Sequence, residues 1–265
     1  MITTGQLLSE QRGRVRLLTL SDPPTRNALH PGIYQAGVEA IQEAQENPAI
    51  GAIVLTGANG VFCSGGNLNR LVSNRRQPQA VQYDSITWFH RWILALRQCP
   101  KPVVAAVEGS AAGAGFTIVL ACDLVMAAED AQFVMAYVRV GLSPDGGASL
   151  LLARSLPAQL VTEILLGGQP IGAVRLHQLG VVNRLCRPGQ TLTEALRWAD
   201  RLAAGPPSTM ARIKRLMREA DGASLEQQLD RERTAFLESL YQPECGEGIA
   251  AFLARRPPRF GGDQD

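Results

Sequence analysis

The segment GLSPDGGAS, residues 141–149, places a carboxylate, Asp145, between a proline and two glycines. Turn chemistry alone explains such a pattern, because proline presets the first turn position, aspartate hydrogen-bonds its own backbone and glycine accepts a positive φ. A carboxylate carried on such a turn also suits a general base when the turn faces a ligand. The two roles of Asp145, shaping a turn and moving a proton, are compatible.

Two segments rich in small residues, GVFCSGGNL (60–68) and VEGSAAGAGF (107–116), each leave a strand-like run and enter a helix-like run. Small residues allow the backbone to approach a ligand closely, and a helix start offers unpaired N–H donors. Two such loops can aim two N–H groups at one oxygen, which is an oxyanion hole. Close packing of a helix on a strand is the alternative. The spacing does not match the dinucleotide-binding pattern GxGxxG.

The elements that must position these residues alternate between strands and helices in the first half of the chain. Apolar runs predict strands over 15–21, 50–57, 102–107 and 123–130, and helical spacing predicts helices over 30–47, 85–99 and 112–122. After Gly141, helix-like segments follow one another, separated by glycine and proline. This order predicts an α/β core with a helical C-terminal part.

The composition excludes several classes of protein. The chain has 265 residues and a net charge of +2, which calls for neither nucleic acid nor an anionic membrane as partner. Five cysteines without a CxxC pair and three scattered histidines argue against a disulfide framework and a metal site. The longest apolar run is too short to cross a membrane and is interrupted by Asp123. We therefore expect a soluble, cytoplasmic protein.

Five motifs in order carry a resemblance over nearly the whole chain. They are TRNAL (25–29), GVFCSGGNL, KPVVAAVEGSAAGAGFTIVLACDLVMAAEDAQF (101–133), LSPDGG (142–147) and EGIAAFLARRPPRF (247–260). Together they resemble the enoyl-CoA hydratase/isomerase (crotonase) superfamily. The resemblance implies an α/β fold in which a spiral of ββα units, residues 1–200, binds the CoA thioester. A C-terminal helical region, residues 201–265, would cover the active site and assemble the chain as a homotrimer or as a hexamer made of two trimers.

The resemblance also implies a substrate and a set of site residues. Coenzyme A enters as part of an acyl-CoA thioester substrate, with no tightly bound cofactor, and the two N–H donors for the thioester oxygen map onto Ser64 and Ala114. CoA is expected to lie against residues of the first two motifs and against basic residues near the C-terminus: Arg26, Ala28, Ser64, Gly66, Asn67, Leu68, Lys214, Arg255 and Arg256. Asn67 replaces an aspartate often found at its place.

The acid/base residues depart from the typical hydratase pattern. The positions of the two hydratase glutamates fall on Thr117 and Tyr137, so a two-glutamate hydration mechanism does not transfer. Asp145 stands where isomerases of the family place a single acid. We therefore expect an enoyl-CoA hydratase/isomerase-type enzyme in which Asp145 shifts a double bond or assists hydration. A cyclic or aromatic-derived acyl group is a candidate substrate.

Two alternatives remain open. The aryl-CoA dehalogenases of the superfamily carry a histidine and an aspartate where this chain has His90 and Asp145, and a tryptophan where it has Tyr137. A hydrolytic reaction would then use His90 to activate water. Four aromatic side chains would either line a pocket for a bulky acyl group or pack in the core: Trp88, Phe89, Trp92 and Tyr137. The third possibility is a scaffold that binds CoA without catalysis.

Overall fold

The computed structural model describes residues 5–260, so the outer ends of the two predicted domains, residues 1–4 and 261–265, lie outside the described residues. Within them a six-stranded sheet runs in the order β1-β2-β3-β4-β6-β9. Its strands are β1 (Gln6–Arg12), β2 (Val15–Ser21), β3 (Ala52–Gly57), β4 (Val103–Val107), β6 (Leu124–Ala128) and β9 (Arg184–Cys186). β1 and β2 pair antiparallel, and the remaining neighbours pair parallel.

A second, smaller sheet of the described chain has the order β5-β7-β8. It is formed by β5 (Ser110–Ala112), β7 (Gln132–Val134) and β8 (Ile171–Gly172). β5 follows β4 after two residues, so the chain passes from one sheet into the other where the second small-residue loop lies. This transfer places the loop beside the ends of the parallel strands.

Helices connect and cover the sheets. They are α1 (Pro31–Glu46), α2 (Leu68–Asn74), α3 (Gln79–Gln98), α4 (Ala114–Ala121), α5 (Ala148–Ser155), α6 (Ala158–Gly167), α7 (Ala173–Gln178), α8 (Thr191–Ala203), α9 (Pro207–Glu219), α10 (Leu225–Leu240) and α11 (Pro243–Leu253). α10 packs against α9 and α11. The C-terminal helices therefore form a layer of their own.

The large sheet is buried on both faces, which explains why its central strands are continuous apolar runs. Leu17, Val54 and Val104 belong to a cluster with Trp198 of α8. Their neighbours along the same strands point to the opposite face and join a larger cluster that includes α1, α3 and α4. Successive side chains of a strand alternate between faces, so the same strands supply both clusters.

The structure confirms an α/β core followed by helices, with local differences. The helix predicted over 112–122 begins at Ala114, because residues 110–112 extend the second sheet as β5. The predicted domain boundary at residue 200 falls inside α8, whose Trp198 and Ala199 are buried against the large sheet. The division into two domains stays a prediction.

No helix within residues 5–260 has the length and apolar character needed to cross a membrane. In the same part of the chain, no three His, Cys, Asp or Glu side chains are grouped so that they could hold a metal ion.

Candidate active site

The two small-residue loops lie side by side at the carboxyl ends of β3 and β4. Cys63 of the first loop donates its N–H to the Ser110 carbonyl at 3.0 Å and accepts from the Ala112 N–H at 2.8 Å. This short ladder fixes the first loop against β5. The edge formed by the carboxyl ends of parallel strands is where ligands bind in open α/β sheets.

Two glycines allow the loops to approach each other closely. Gly65 has φ +90°, and a Cβ at that residue would lie 2.8 Å from the Ala112 carbonyl oxygen. Gly113, with φ +50°, immediately precedes α4. Both conformations are in the region that favours glycine. The same hypothetical Cβ on Gly65 would lie 3.7 Å from the Ala114 nitrogen, so the first loop reaches the start of α4.

The prediction that Ser64 supplies an N–H to the thioester oxygen is wrong. The Ser64 N–H donates to the Arg26 carbonyl at 3.0 Å, and the Ser64 hydroxyl donates to the Thr25 carbonyl at 2.8 Å. Both donors of Ser64 therefore hold the first loop to the TRNAL segment. Neither is left for a ligand.

Gly66, two residues after Ser64 in that loop, has an N–H that no described residue accepts. Leu29 pairs with Gly66 in a parallel bridge, in which the bonds are made by the Gly65 carbonyl at 2.8 Å and the Asn67 N–H at 3.3 Å. Gly66 lies between Gly65 and Asn67, and its own N–H therefore points away from Leu29. Among residues 5–260 nothing accepts from the Gly66 N–H, and Gly66 is exposed.

Ala114, the other predicted donor, is the first residue of α4. The first N–H groups of a helix have no partner within the helix. Gly113 donates to the Val134 carbonyl at 2.8 Å, whereas the Ala114 N–H has no acceptor among the described residues. Free N–H groups of Gly66 and Ala114 thus stand on adjoining loops, beside the positive end of the α4 dipole.

Asp145 lies in a turn between a 3-10 helix, Ala136–Val140, and α5. Its main-chain carbonyl accepts from the Ala148 N–H at 3.2 Å, and Gly146 and Gly147 both have positive φ. The carboxylate is half-buried, and its Oδ1 accepts a hydrogen bond of 2.6 Å from the Tyr137 hydroxyl. The turn geometry and the oriented carboxylate coexist, as expected from the sequence.

Close packing fixes this turn against the neighbouring helices. A Cβ on Gly146 would lie 2.3 Å from Cε1 of Phe89 and 3.0 Å from Cγ2 of Thr117. A Cβ on Gly113 would lie 3.7 Å from the Tyr137 ring. The Tyr137 side chain therefore spans the distance between the loop that carries the free Ala114 N–H and the Asp145 carboxylate.

The residues at the two glutamate positions are neutral hydroxyl groups. Thr117 is buried and donates to the Gly113 carbonyl at 3.3 Å. Burial raises the pKa of Tyr137, and the negative charge of Asp145 raises it further. Tyr137 consequently remains a protonated hydrogen-bond donor, not a base.

His90 is exposed on α3 and lies beside the Asp145 turn. Its Nε2 accepts the Gly146 N–H at 3.4 Å. Within the described chain, no hydrogen bond joins the His90 ring to the Asp145 carboxylate. Of the neighbouring aromatic residues, Phe89 is buried against the turn, whereas Trp92 packs in the core against Gly37.

The residues expected to contact CoA near the first loop surround its open side. Arg26, at φ 59°, donates from its guanidinium to the Ser110 hydroxyl at 3.2 Å, and Ala28 is buried beside it. Asn67 caps α2 by accepting from the Arg70 N–H at 3.2 Å. Leu68 is 56% exposed. Their contact with CoA stays a prediction.

The expected role of Lys214 is wrong in this chain. Its Nζ donates to the Lys101 carbonyl at 2.7 Å and forms an ion pair with the Asp123 carboxylate. Lys101 and Asp123 precede β4 and β6, so Lys214 lies at the end of the sheet opposite the loops. Its charge is neutralised and largely removed from solvent.

The arginines of the C-terminal motif differ from each other. Arg256 makes two hydrogen bonds, of 2.7 and 2.8 Å, to the Glu247 carboxylate. Arg255 is exposed, and its guanidinium has no partner among residues 5–260. Arg255 thus remains available for a phosphate, and Arg256 would have to leave Glu247 first.

Sequence reasoning missed Tyr34, which lies among these residues. It occupies the first turns of α1, where it belongs to an apolar helix face and therefore resembles an ordinary core residue. Its ring centroid lies 5.2 Å from that of Phe89. The charge of Asp145 also acts on the Tyr34 hydroxyl. Only the tertiary structure brings α1 to the Asp145 turn.

Comparisons with known proteins give a consistent result. The enoyl-CoA hydratase/isomerase family profile matches residues 10–263. A 2,3-dehydroadipyl-CoA hydratase of Escherichia coli is 31% identical and covers 97% of this chain and 99% of its own. A 1,2-epoxyphenylacetyl-CoA isomerase of the same organism is 32% identical, and the match covers 97% of this chain and 98% of that protein.

The solved structures agree with the sequence relatives. The crystal structure of an enoyl-CoA hydratase from Polaromonas sp. JS666 superposes with a TM-score of 0.95 at 53% identity, covering 97% of this chain and all of that one. The crystal structure of an enoyl-CoA hydratase/isomerase from Mycobacterium abscessus superposes with a TM-score of 0.91 at 29% identity, covering 97% of this chain and all of that one. By sequence and by fold, the chain belongs to the enoyl-CoA hydratase/isomerase family of the crotonase superfamily.

Proposed function

We propose that this enzyme shifts the double bond of a 3-enoyl-CoA to the 2-position, with Asp145 as the acid/base. The observation that carries the proposal is the position of the Asp145 carboxylate, which is oriented by Tyr137 close to the loop of the free Ala114 N–H. A single carboxylate suffices for a double-bond shift, whereas Thr117 and Tyr137 replace the two glutamates of a typical hydratase.

The reaction moves one proton and two electron pairs. The Asp145 carboxylate takes a proton from the α-carbon, and the C–H electrons delocalise to give a dienolate with its charge on the thioester oxygen. The Gly66 and Ala114 N–H groups stabilise that oxygen, because preorganised donors favour charge that develops in the transition state. The protonated Asp145 then returns its proton to the γ-carbon. No water or cofactor is consumed.

Coenzyme A binds as the carrier of the acyl group in this proposal. Its thioester carbonyl meets the two loops, and its nucleotide part lies along Arg26, Ala28, Asn67 and Leu68. The hydratases and isomerases among the relatives support an acyl-CoA substrate. The name of the Escherichia coli 1,2-epoxyphenylacetyl-CoA isomerase, together with Phe89 and Tyr137 beside the turn, favours a cyclic or aromatic-derived acyl group.

A hydrolytic reaction of the dehalogenase kind is a second candidate, favoured by the contact between His90 and the Asp145 turn. It would require the Asp145 carboxylate to attack an aromatic carbon and expel halide, after which water cleaves the aryl ester. The absence of a hydrogen bond between His90 and the carboxylate in the described chain makes isomerisation the better supported reaction.

We further propose that the enzyme assembles as a homotrimer or as a hexamer of two trimers. Several large apolar side chains of the C-terminal helices are more than 70% exposed in the single chain: Met217, Leu225, Tyr241, Phe252 and Leu253. Exposed apolar patches of this kind mark protein interfaces. A neighbouring copy of the chain would cover them.

The reaction is tested by incubating wild type and Asp145→Asn with 3-hexenoyl-CoA and following the absorbance of the conjugated product. The amide is isosteric but cannot accept the proton, so kcat should fall at least about 100-fold while the dissociation constant for CoA stays unchanged. Unaltered turnover in Asp145→Asn would eliminate the proposed base. Halide release from a haloaryl-CoA that depends on His90 would instead establish hydrolysis.

A further inference from the structure

Tyr34 combines a buried ring with a hydroxyl group that has no partner. The side chain is 7% exposed and packs against Phe89, at 5.2 Å between ring centroids, and Trp92, at 6.4 Å. No hydrogen bond to the Tyr34 hydroxyl is formed by any residue from 5 to 260. Buried hydroxyl groups in native proteins are almost always hydrogen-bonded, so this one requires an explanation.

The oxygen of that hydroxyl is not sealed in the core. Trp92 Nε1, in the same aromatic cluster, is fully enclosed and has no partner, whereas the Tyr34 oxygen is not fully enclosed. The ring is therefore packed while its oxygen borders accessible space. A group arranged in this way can donate to a molecule that enters from outside.

Burial raises the pKa of Tyr34, Asp145 and Cys63 raise it further, and Arg70 lowers it. The ring contacts show which space the hydroxyl borders: the Tyr34 ring lies 5.2 Å from that of Phe89, and Cε1 of Phe89 lies 2.3 Å from the position of a Cβ on Gly146. Tyr34 is therefore next to the Asp145 turn. Its hydroxyl remains protonated at neutral pH and is available as a donor.

Arg70 contributes a positive charge that nothing in the described chain neutralises. Its main-chain N–H is bound by the Asn67 cap, but its half-buried guanidinium makes neither an ion pair nor a hydrogen bond among residues 5–260. A guanidinium without an internal partner, in the first turn of α2 and close in sequence to Gly66 and Asn67, is suited to an oxygen acceptor, and most of all to a carboxylate.

We propose that Tyr34 determines substrate specificity by donating a hydrogen bond to an oxygen carried by the acyl chain beyond the reacting carbons, with Arg70 favouring a terminal carboxylate. The substrate class is then an enoyl-CoA whose acyl chain bears an oxygen. The inference rests on the proposed function, which places the acyl chain beside Asp145.

Binding is measured first, with saturated thioesters that cannot react. Calorimetry compares adipoyl-CoA with hexanoyl-CoA, which has the same chain length and lacks the carboxylate. We expect wild type to bind adipoyl-CoA more tightly, and Tyr34→Phe, which keeps the ring, to weaken adipoyl-CoA by about tenfold while changing hexanoyl-CoA by less than about twofold. Tyr83→Phe, an exposed tyrosine on α3, should change neither.

A third ligand distinguishes an acceptor oxygen in a hydroxyl group of the acyl chain from one in a terminal carboxylate. Binding of 6-hydroxyhexanoyl-CoA should depend on Tyr34 but not on Arg70, whereas binding of adipoyl-CoA should also weaken in Arg70→Gln. Equal weakening of hexanoyl-CoA and adipoyl-CoA in Tyr34→Phe would overturn the inference. Equal affinity of wild type for these two ligands would overturn it as well.

Turnover distinguishes a failure of the inference from a failure of the proposed reaction. If wild type isomerises 3-hexenoyl-CoA and 3-hexenedioyl-CoA equally well and binding shows no preference, the specificity role is lost and the reaction stands. If neither is isomerised but the Tyr34-dependent preference for adipoyl-CoA holds, the reaction is wrong and the binding role stands.

Discussion

At the scale of single residues, the proposed chemistry depends on how Asp145 is held. A hydrogen bond to an ionised carboxylate is shorter and stronger than one between neutral groups, and the 2.6 Å bond from Tyr137 is of this kind. It fixes Oδ1, whereas Oδ2 accepts no hydrogen bond from the described residues and would be the oxygen that takes the proton in the proposed reaction. Gly146 supports the arrangement, because no larger residue fits against Phe89.

Removing the Tyr137 hydroxyl therefore affects the chemical step more than binding. In Tyr137→Phe the carboxylate loses its anchor, so we expect kcat for 3-hexenoyl-CoA to fall about tenfold while KM changes little. Steady-state kinetics with Tyr83→Phe as the control measure this split. A wild-type kcat in Tyr137→Phe would show that the bond does not position the base.

The assignment of Ser64 shows where residue-level prediction stops. Asp145 and Ala114 are predicted from motifs whose local geometry is fixed by glycine and by a helix start, and the structure leaves the Ala114 N–H without an acceptor among residues 5–260. Ser64 and Gly66 are both small residues of one loop, and which N–H is free depends on contacts distant in sequence. Arg26 accepts from Ser64, whereas the pairing with Leu29 leaves Gly66 free. Tyr34 was missed for the same reason.

At the scale of elements, each end of the parallel strands has its own role. The carboxyl ends carry the loops and the turn, and the amino ends are held by α9 through Lys214 and Asp123. Burial raises the pKa of Asp123, and the Lys214 charge opposes that shift. The alternation of strands with helices along the chain was predictable, since buried runs and helical spacing are local signals, whereas the order of the strands within the sheet was not predicted. The ion pair between Lys214 and Asp123 was not predictable, because the two residues are 91 positions apart in the sequence.

This division of roles predicts opposite effects for two basic residues. Lys214→Met leaves Asp123, whose side chain is 23% exposed, without its cation, so the free energy of unfolding should fall by roughly 1 to 3 kcal/mol while CoA affinity stays the same. Arg255→Met should weaken CoA and leave stability unchanged. Urea unfolding and calorimetry measure the two quantities. Weaker CoA binding in Lys214→Met, with unchanged stability, would restore the sequence-based assignment.

At the scale of the whole molecule, the single chain leaves large apolar side chains of its C-terminal helices uncovered. Its sheets are covered by helices on both faces, but the outward side of α9–α11 exposes large apolar side chains. The sequence predicted a helical C-terminal region, because its helices have clear apolar periodicity. That periodicity does not distinguish a face that packs within the chain from one that packs on another copy.

Replacing one exposed apolar residue tests the proposed assembly. Phe252, 83% exposed on α11, should be covered in the oligomer, and Phe252→Asp should weaken it because the interface would then bury a charge. Light scattering should give about three or six times the 28.5 kDa chain mass for wild type and a lower multiple for the variant. A monomeric wild type would refute the assembly.

In the proposed reaction, free main-chain N–H groups of the two loops stabilise a charged thioester oxygen. Gly66 permits a direct test, because a Cβ at that position meets no atom within 4 Å, so Gly66→Ala keeps the N–H and should fold normally. Gly66→Pro removes the N–H at the same place.

The decisive measurement is kcat for 3-hexenoyl-CoA in these two variants, with CoA binding and circular dichroism verifying that both are folded. We expect Gly66→Ala to remain within about threefold of wild type and Gly66→Pro to lose about 100- to 1,000-fold, the effect of deleting one oxyanion donor. Equal kcat values in two folded variants would contradict the account.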